Sequence, residues 1–220
     1  WTRHKIMETE YTVYYWTACK GFYGRAIGIC LTLDAAGKKL GTDYICKNPT
    51  PANKEIAVQV PQVTLPNGMT IGQLPVILDV LGEQFGLNGK TAEAKILAKQ
   101  YILDLQDMME EAQGGRFTDE NRAMAWFSVL ESRLAKSKFL LGDAPMTPDF
   151  VGVFTFTWVD AHNIQFAEFA NVTRWWKDLK DVPVVKAMMF ESSVPLIPPS
   201  WPGRYRGDPC KLPLGSPYLK

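Results

Sequence analysis

The sequence is poor in cysteine and histidine, has no excess of either charge, and contains no long apolar run. With 24 basic against 23 acidic side chains, no strong electrostatic field is available to attract nucleic acid or an anionic lipid surface. The best apolar run, residues 151–159, is far shorter than the roughly 20 residues that span a membrane. The four cysteines (Cys19, Cys30, Cys46 and Cys210) form no CxxC pair and do not cluster with histidine, so we predict neither a disulfide scaffold nor a metal site.

What the chain does have is the composition of a folded protein. Of its 220 residues 46% are hydrophobic and 21% charged, which excludes disorder, collagen-like repeats and coiled coil as classes. The few cysteines favour a reducing compartment. Because the chain begins at Trp1, we expect either the cytoplasm or an organelle reached after removal of a targeting peptide.

Strand and helix patterns alternate over the first 86 residues. β-branched and aromatic side chains predict a first strand at residues 11–16, and the following segment, 24–36, has apolar residues at helical spacing. Residues 43–46 read as a second strand, followed by a proline-containing loop at 48–51. The Asn67-Gly68 turn predicts a hairpin of two further strands, and Pro75 suits the first turn of a helix that ends at Gly86.

From residue 91 onwards the pattern is helical. Amphipathic helices are predicted at 91–113 and 118–136, and a helix at 150–160 is apolar on nearly every side, which is typical of a buried central helix. The segment 192–220 contains seven of the 15 prolines and follows neither period. We predict that it is an irregular arm, either packed on the body or a partner, or free.

Several short strings in this order resemble the cytosolic glutathione transferase superfamily. They are Val60-Pro61 before the hairpin, Gln73-Leu74-Pro75-Val76-Ile77 after it, Phe139-Leu140-Leu141-Gly142-Asp143 followed by Thr147 and Asp149, and Trp175-Trp176 followed by Val182-Pro183-Val184-Val185-Lys186. The resemblance implies a fold of class α/β plus all-α. A thioredoxin-like domain at 9–86 would precede an all-helical domain at 91–191 and the proline-rich arm at 192–220.

Within that superfamily the end of the first strand resembles the tyrosine-using sigma and mu classes. The resemblance implies that Tyr15 stabilises the thiolate of glutathione, since only the thiolate attacks an electrophile efficiently. A plain core aromatic is the alternative, and strand alternation turns only one of Tyr14 and Tyr15 towards a site. Cys19, in the loop before the helix, is a second candidate nucleophile, and an ordinary loop thiol is its alternative.

The resemblance also implies a glutathione site with a cis peptide bond at Pro61. It assigns six residues to binding: Lys54, Val60, Pro61, Gln73, Leu74 and Asp104. Leu74 stands where the family has serine, so a hydrogen bond to the γ-glutamyl carboxylate is missing. Lys54 and Asp104 have the alternative of being solvated surface charges.

The function that follows is conjugation of glutathione, as co-substrate, to a small apolar electrophile bound between the domains of a homodimer. Aromatic side chains of the second half could line the electrophile pocket, although their helical spacing favours a core role. The alternative is a non-catalytic protein of the same fold that acts as a binding or assembly subunit. Leu74, the lengthened loop after Trp16 and the proline-rich arm favour that alternative.

Overall fold

The computed structural model describes residues 10–113, 120–161 and 164–196. Its first half contains four strands and three helices: β1 (Tyr11–Tyr14), α1 (Ile27–Ala35), β2 (Tyr44–Lys47), α2 (Pro51–Ile56), β3 (Gln62–Thr64), β4 (Thr70–Gly72) and α3 (Leu74–Phe85). Short 3₁₀ turns at Trp16–Cys19 and Gly24–Ala26 connect β1 to α1. The βαβ order followed by ββα agrees with the sequence pattern.

The strands form one mixed sheet in the order β2-β1-β3-β4. β1 runs parallel to β2, with Tyr11 opposite Tyr44, and antiparallel to β3, with Val13 opposite Val63. The predicted hairpin is present, and Gly68 has a φ of 84° in its turn, where glycine carries no steric penalty. This is the arrangement of a thioredoxin-like domain.

One helix was missed and one strand was predicted too long. We expected a loop at 48–51, but Pro51 opens α2, and Thr50 and Asn53 form a capping box at its start. A threonine cap followed by proline is in fact a helix-start signal. β1 ends at Tyr14, and the chain then bends into the turn Trp16–Cys19 instead of continuing as a strand to Trp16.

The second half is helical, as expected: α4 (Ala92–Gln113), α5 (Glu120–Leu134), α6 (Thr147–Ala161), α7 (Ala170–Lys180) and α8 (Pro183–Lys186), with a π-helical turn at Ala187–Glu191. α6 is central and packs against both α4 and α1. Its buried residues occupy every face, which confirms the prediction of a buried helix. None of the helices in the described residues is long and apolar enough to cross a membrane.

A buried carboxylate fixes the start of α6. Asp149 is fully buried and accepts hydrogen bonds from the amides of Leu140 (3.1 Å) and Met146 (2.9 Å) and from the indole of Trp175 (2.7 Å). One side chain therefore joins the helix start to the preceding loop and to α7. Buried polar atoms with this many partners define one arrangement of the elements around them.

The start of the proline-rich arm packs on the body. The carbonyls of Pro195 and Leu196 accept hydrogen bonds from the amides of Tyr23 and Gly24, both at 2.9 Å, and Leu196 is buried. These contacts hold the loop that precedes α1. The remainder of the arm, residues 197–220, lies outside the described residues.

Candidate functional site

Tyr15 lies under the start of α1. Its hydroxyl accepts a hydrogen bond from the backbone amide of Arg25 at 3.0 Å, and its ring packs edge-on against Phe22. Burial raises the pKa of Tyr15 to about 12, although the Arg25 amide and guanidinium act in the opposite direction. The phenol therefore keeps its proton at neutral pH and is suited to donate a hydrogen bond to an anion, not to act as a base.

Glycine at position 24 permits this approach. A Cβ built there would lie 2.3 Å from the Tyr15 hydroxyl and 2.8 Å from the Phe22 ring, and Gly24 has a φ of 51°. Any larger residue would displace the phenol. The lengthened loop after Trp16 therefore ends in the turn Gly24–Ala26, which packs against Tyr15.

The same loop contains strained backbone. Thr17, Ala18 and Cys19 have φ values of 54°, 51° and 58°, a left-handed run that costs L-residues about 1–2 kcal/mol each. Gln73, at the start of α3, also has a positive φ of 67°. Strain of this kind persists where surrounding contacts impose it, and it concentrates at functional sites.

Two adjoining cavities lie beside the Val60–Pro61 peptide bond, which is cis as expected. The larger cavity, about 780 Å³, is lined by Trp16, Lys54 and residues of α2 and the following loop. The smaller cavity, about 300 Å³, is lined by Arg25, Pro61, Gln73, Leu74, Gln106 and Glu110. Gln59 and Val60 line both, so the two cavities meet at Val60 and form one groove, which we call the Val60 groove.

Hydrogen bonds between α2 and β3 position the lysine end of the Val60 groove. The buried Asn53 side chain donates to the Gln62 side chain at 2.9 Å, and Gln62 donates back to the Asn53 carbonyl at 2.9 Å. Lys54 is the next residue along α2 and is exposed. A cationic side chain therefore lies at one end of the groove on a fixed helix.

An ion pair lies at the other end of the Val60 groove. Arg25 Nη1 is 2.9 Å from Glu110 Oε1, and the two side chains are 29% and 52% exposed. Exposed pairs of this kind add little to stability. Their significance is chemical, since a cation and an anion stand side by side at the cavity wall.

Of the six predicted binding residues, five line the Val60 groove: Lys54, Val60, Pro61, Gln73 and Leu74. Asp104 does not line it and pairs instead with Arg133 of α5 at 2.5 Å. Gln106 and Glu110 of α4 face the groove in its place, and sequence reasoning missed both. A pattern of polar residues four apart on a long helix is too common to reveal them.

Tyr15 is not among the residues that line the Val60 groove. Its side chain is only 5% exposed, whereas Arg25 lines the smaller cavity. Its hydroxyl and the groove thus share one neighbour, Arg25, whose amide binds the phenol and whose side chain forms part of the wall.

Residues of both halves line the smaller cavity of the Val60 groove, but the described residues of α1, α4 and α6 pack closely. The cavity among these three helices is only about 10 Å³, and Gly28, Met109 and Phe154 are among its lining residues. Among the described residues, most aromatic side chains of the second half are buried in the core, and Phe156, Trp158 and Trp175 are fully buried. This confirms the core interpretation of their spacing, and the cavity is too small to hold an apolar electrophile.

Cys19 does not have the surroundings of a reactive thiol. It is 4% exposed. A hydrogen bond with Cys30 lowers its pKa, but a hydrogen bond with Cys46 and burial outweigh this effect and raise the pKa above its usual range. A buried thiol with a raised pKa is a poor nucleophile.

Part of the chain matches a protein family model. Residues 116–183 match the model "Glutathione S-transferase, C-terminal domain". The sequence is also 22% identical over 142 residues to Glutathione S-transferase Y-2 of Pichia kudriavzevii, covering 59% of this chain and 74% of that protein.

Solved structures of similar fold cover most of the chain. A nematode-specific glutathione transferase of Caenorhabditis elegans superposes with a TM-score of 0.69 at 20% identity, over 86% of this chain and all of that one. A Nu-class enzyme of Haemonchus contortus gives 0.68 at 16% identity, over 85% and 98%. The rat protein described as hPGDS complexed with a quinoline gives 0.66 at 16% identity, over 85% and 99%. These likenesses show the fold, and together with the family match they support the glutathione transferase superfamily.

Proposed function

We propose that the chain is a glutathione transferase-like protein that binds glutathione along the Val60 groove and conjugates it to an apolar electrophile. The observation that carries the proposal is the distribution of charge along this groove. Lys54 stands at one end, the Arg25–Glu110 pair stands at the other, and Val60 lies between them. Glutathione has a lone carboxylate at its glycyl end and both a carboxylate and an ammonium at its γ-glutamyl end.

The Arg25–Glu110 pair offers a substitute for the missing serine at position 74. Arg25 is a donor for the γ-glutamyl carboxylate, and Glu110 is an acceptor for the ammonium beside it. Gln73 and the backbone amide at the start of α3 add donors to the same carboxylate. In this proposal Glu110 binds the γ-glutamyl ammonium, and Asp104, one of the six residues that the resemblance assigned to binding, pairs with Arg133 instead.

Tyr15 would act on the sulfur through its hydroxyl. The phenol accepts the Arg25 amide and keeps its own proton, because burial raises its pKa to about 12. Donating that proton in a hydrogen bond would favour the thiolate over the thiol. The electrophile would then lie in the larger cavity, since the cavity of about 10 Å³ among α1, α4 and α6 is too small for it.

A second candidate function is a non-catalytic subunit of the same fold. The observation that favours it is the burial of Tyr15, which lines neither part of the Val60 groove. In that case the groove or the proline-rich arm would bind a protein partner in a larger assembly. The family precedent of a homodimer applies to both candidates.

Calorimetry with glutathione and with its analogue lacking the γ-glutamyl amino group tests the proposal. We expect the wild-type protein to bind glutathione about tenfold more tightly than the analogue, because the ammonium gains a charged hydrogen bond of about 1.5 kcal/mol or more. Glu110→Gln should bind the two ligands with similar affinity.

Glu10→Gln is the matched control. It breaks the Lys38–Glu10 pair, whose side chains are 25% and 49% exposed, close to the values for Arg25 and Glu110. This variant should discriminate between the ligands as the wild type does. If the wild type binds no glutathione, the transferase proposal is wrong and the non-catalytic subunit is favoured. If Glu110→Gln and the wild type preferred glutathione over the analogue equally, Glu110 would not bind the ammonium, but glutathione binding in the Val60 groove would still stand.

A further inference from the structure

Three of the four cysteines meet in the interior of the thioredoxin-like domain. Cys19 comes from the turn after β1, Cys30 from α1 and Cys46 from β2, and their sulfur atoms all lie within 4.8 Å of one another. All three are free thiols. Cys19 and Cys30 are buried and Cys46 is partly exposed.

The arrangement is unusual for thiols that serve only as small hydrophobic side chains. Cys19 reaches the cluster at the end of the left-handed run Thr17–Ala18–Cys19, so unfavourable backbone conformations accompany its placement. A disulfide between any two of the three would leave the third sulfur without a partner. One metal ion satisfies all three at once.

We propose that Cys19, Cys30 and Cys46 form a three-sulfur site for one thiophilic metal ion, Cu(I) in preference to Zn(II). Thiolate ligands select soft ions such as Cu(I) and Zn(II). Structural zinc sites are almost always four-coordinate, whereas the cluster among the described residues contains three ligand atoms. Copper(I) is satisfied by three sulfur atoms, and Cys46 is the partly exposed member of the cluster. Metal binding would release the thiol protons to solvent as the three sulfurs coordinate.

Anaerobic titration with Cu(I) tests the proposal, with bicinchoninate as competing chelator and ascorbate as reductant, and without glutathione, which would itself bind copper. The wild type should take one equivalent of Cu(I), and X-ray absorption should show three sulfur neighbours. Cys19→Ser and Cys46→Ser should each weaken the apparent affinity by at least about 10- to 100-fold, the loss that follows even when a residue that only supports a metal ligand is removed. Cys210→Ser is the matched control, because position 210 lies outside the described residues and away from the cluster in sequence, and it should bind as the wild type does.

Circular dichroism of each metal-free variant separates loss of the site from loss of the fold. If Cys19→Ser does not fold, the partly exposed Cys46 carries the test. Absence of stoichiometric uptake by the wild type, undiminished uptake by folded Cys46→Ser, or loss of uptake in Cys210→Ser would each overturn the proposal. Tighter binding of Zn(II) than of Cu(I) would overturn the choice of copper. None of these readouts depends on glutathione binding.

Discussion

Replacing Tyr15 by phenylalanine distinguishes a catalytic phenol from a structural one. A hydrogen bond from a hydroxyl to a charged sulfur contributes about 1.5–3 kcal/mol, and each pKa unit corresponds to about 1.4 kcal/mol. If the hydroxyl donates to bound glutathione, Tyr15→Phe should raise the pKa of the glutathione thiol by about 1–2 units. Turnover at neutral pH should then fall about 10- to 100-fold and recover as the pH rises.

A purely structural role predicts a different result. The hydroxyl accepts a hydrogen bond from the Arg25 amide at 3.0 Å, so its removal would leave a partly buried donor unpaired, at a cost of about 1 kcal/mol or more of folding free energy. That cost would lower stability without moving the pH profile of the reaction. Ionisation of the Tyr15 hydroxyl itself does not contribute to the pH profile near neutrality, because burial raises its pKa to about 12.

The assay is the pH dependence of kcat/KM for conjugation of glutathione to an aryl halide, together with ultraviolet titration of the bound thiolate. Tyr14→Phe is the matched control, since Tyr14 is adjacent to Tyr15, lies on the less buried face of β1 and is only partly buried. The reasoning would be refuted if Tyr15→Phe and the wild type had the same kcat/KM profile and the same thiolate titration. An unfolding experiment in urea then shows whether the hydroxyl serves the fold instead.

Two further predictions concern stability. Asp149→Ala should lower the free energy of unfolding by about 3 kcal/mol or more, because it leaves two buried donors, the Leu140 amide and the Trp175 indole, and the partly buried Met146 amide unpaired. Urea titration measures this, and a loss below about 1 kcal/mol would contradict it. Burial raises the pKa of Asp34 to about 6 although Tyr44 donates to it at 2.8 Å, so the folded state binds this proton more tightly than the unfolded state and stability falls as the pH rises from about 4 to about 6. The shift corresponds to about 3 kcal/mol, which solvent access to the carboxyl reduces to about 1–2 kcal/mol. Asp34→Asn should lose this part of the pH dependence of stability. If urea titrations at about pH 4 and about pH 6 showed the same dependence in Asp34→Asn as in the wild type, this prediction would be wrong.

Local patterns predicted the elements where short-range chemistry decides them. The Asn67-Gly68 turn, the helix start at Pro75 and the all-round apolar segment of α6 each produced the expected structure. The helix α2 was missed because Pro49 and Pro51 were taken only as breakers, although Thr50-Pro51 also forms a helix start. Strand ends are set by pairing partners, and for this reason β1 stopped before Trp16.

The candidate site was predictable only in part. A resemblance in short strings brought Lys54, Val60, Pro61, Gln73 and Leu74 to attention, and these residues do line one groove. Glu110 and Arg25 are 85 positions apart in sequence, and no local pattern links them. Asp104 was the residue of α4 that the resemblance assigned to glutathione binding, but it forms an ion pair with Arg133 of α5.

The sequence by itself determined the alternation of strands and helices, the buried character of α6 and the absence of a strong charge imbalance, because these depend on residue type and spacing along the chain. Tertiary structure alone decided that Arg25 meets Glu110, that Tyr15 is enclosed beneath α1, and that three cysteines separated by 11 and 16 positions come within 4.8 Å of one another. The physical reason is that contacts between distant segments arise from how helices and strands pack. Packing depends on all the buried surfaces together, so no single stretch of sequence contains it.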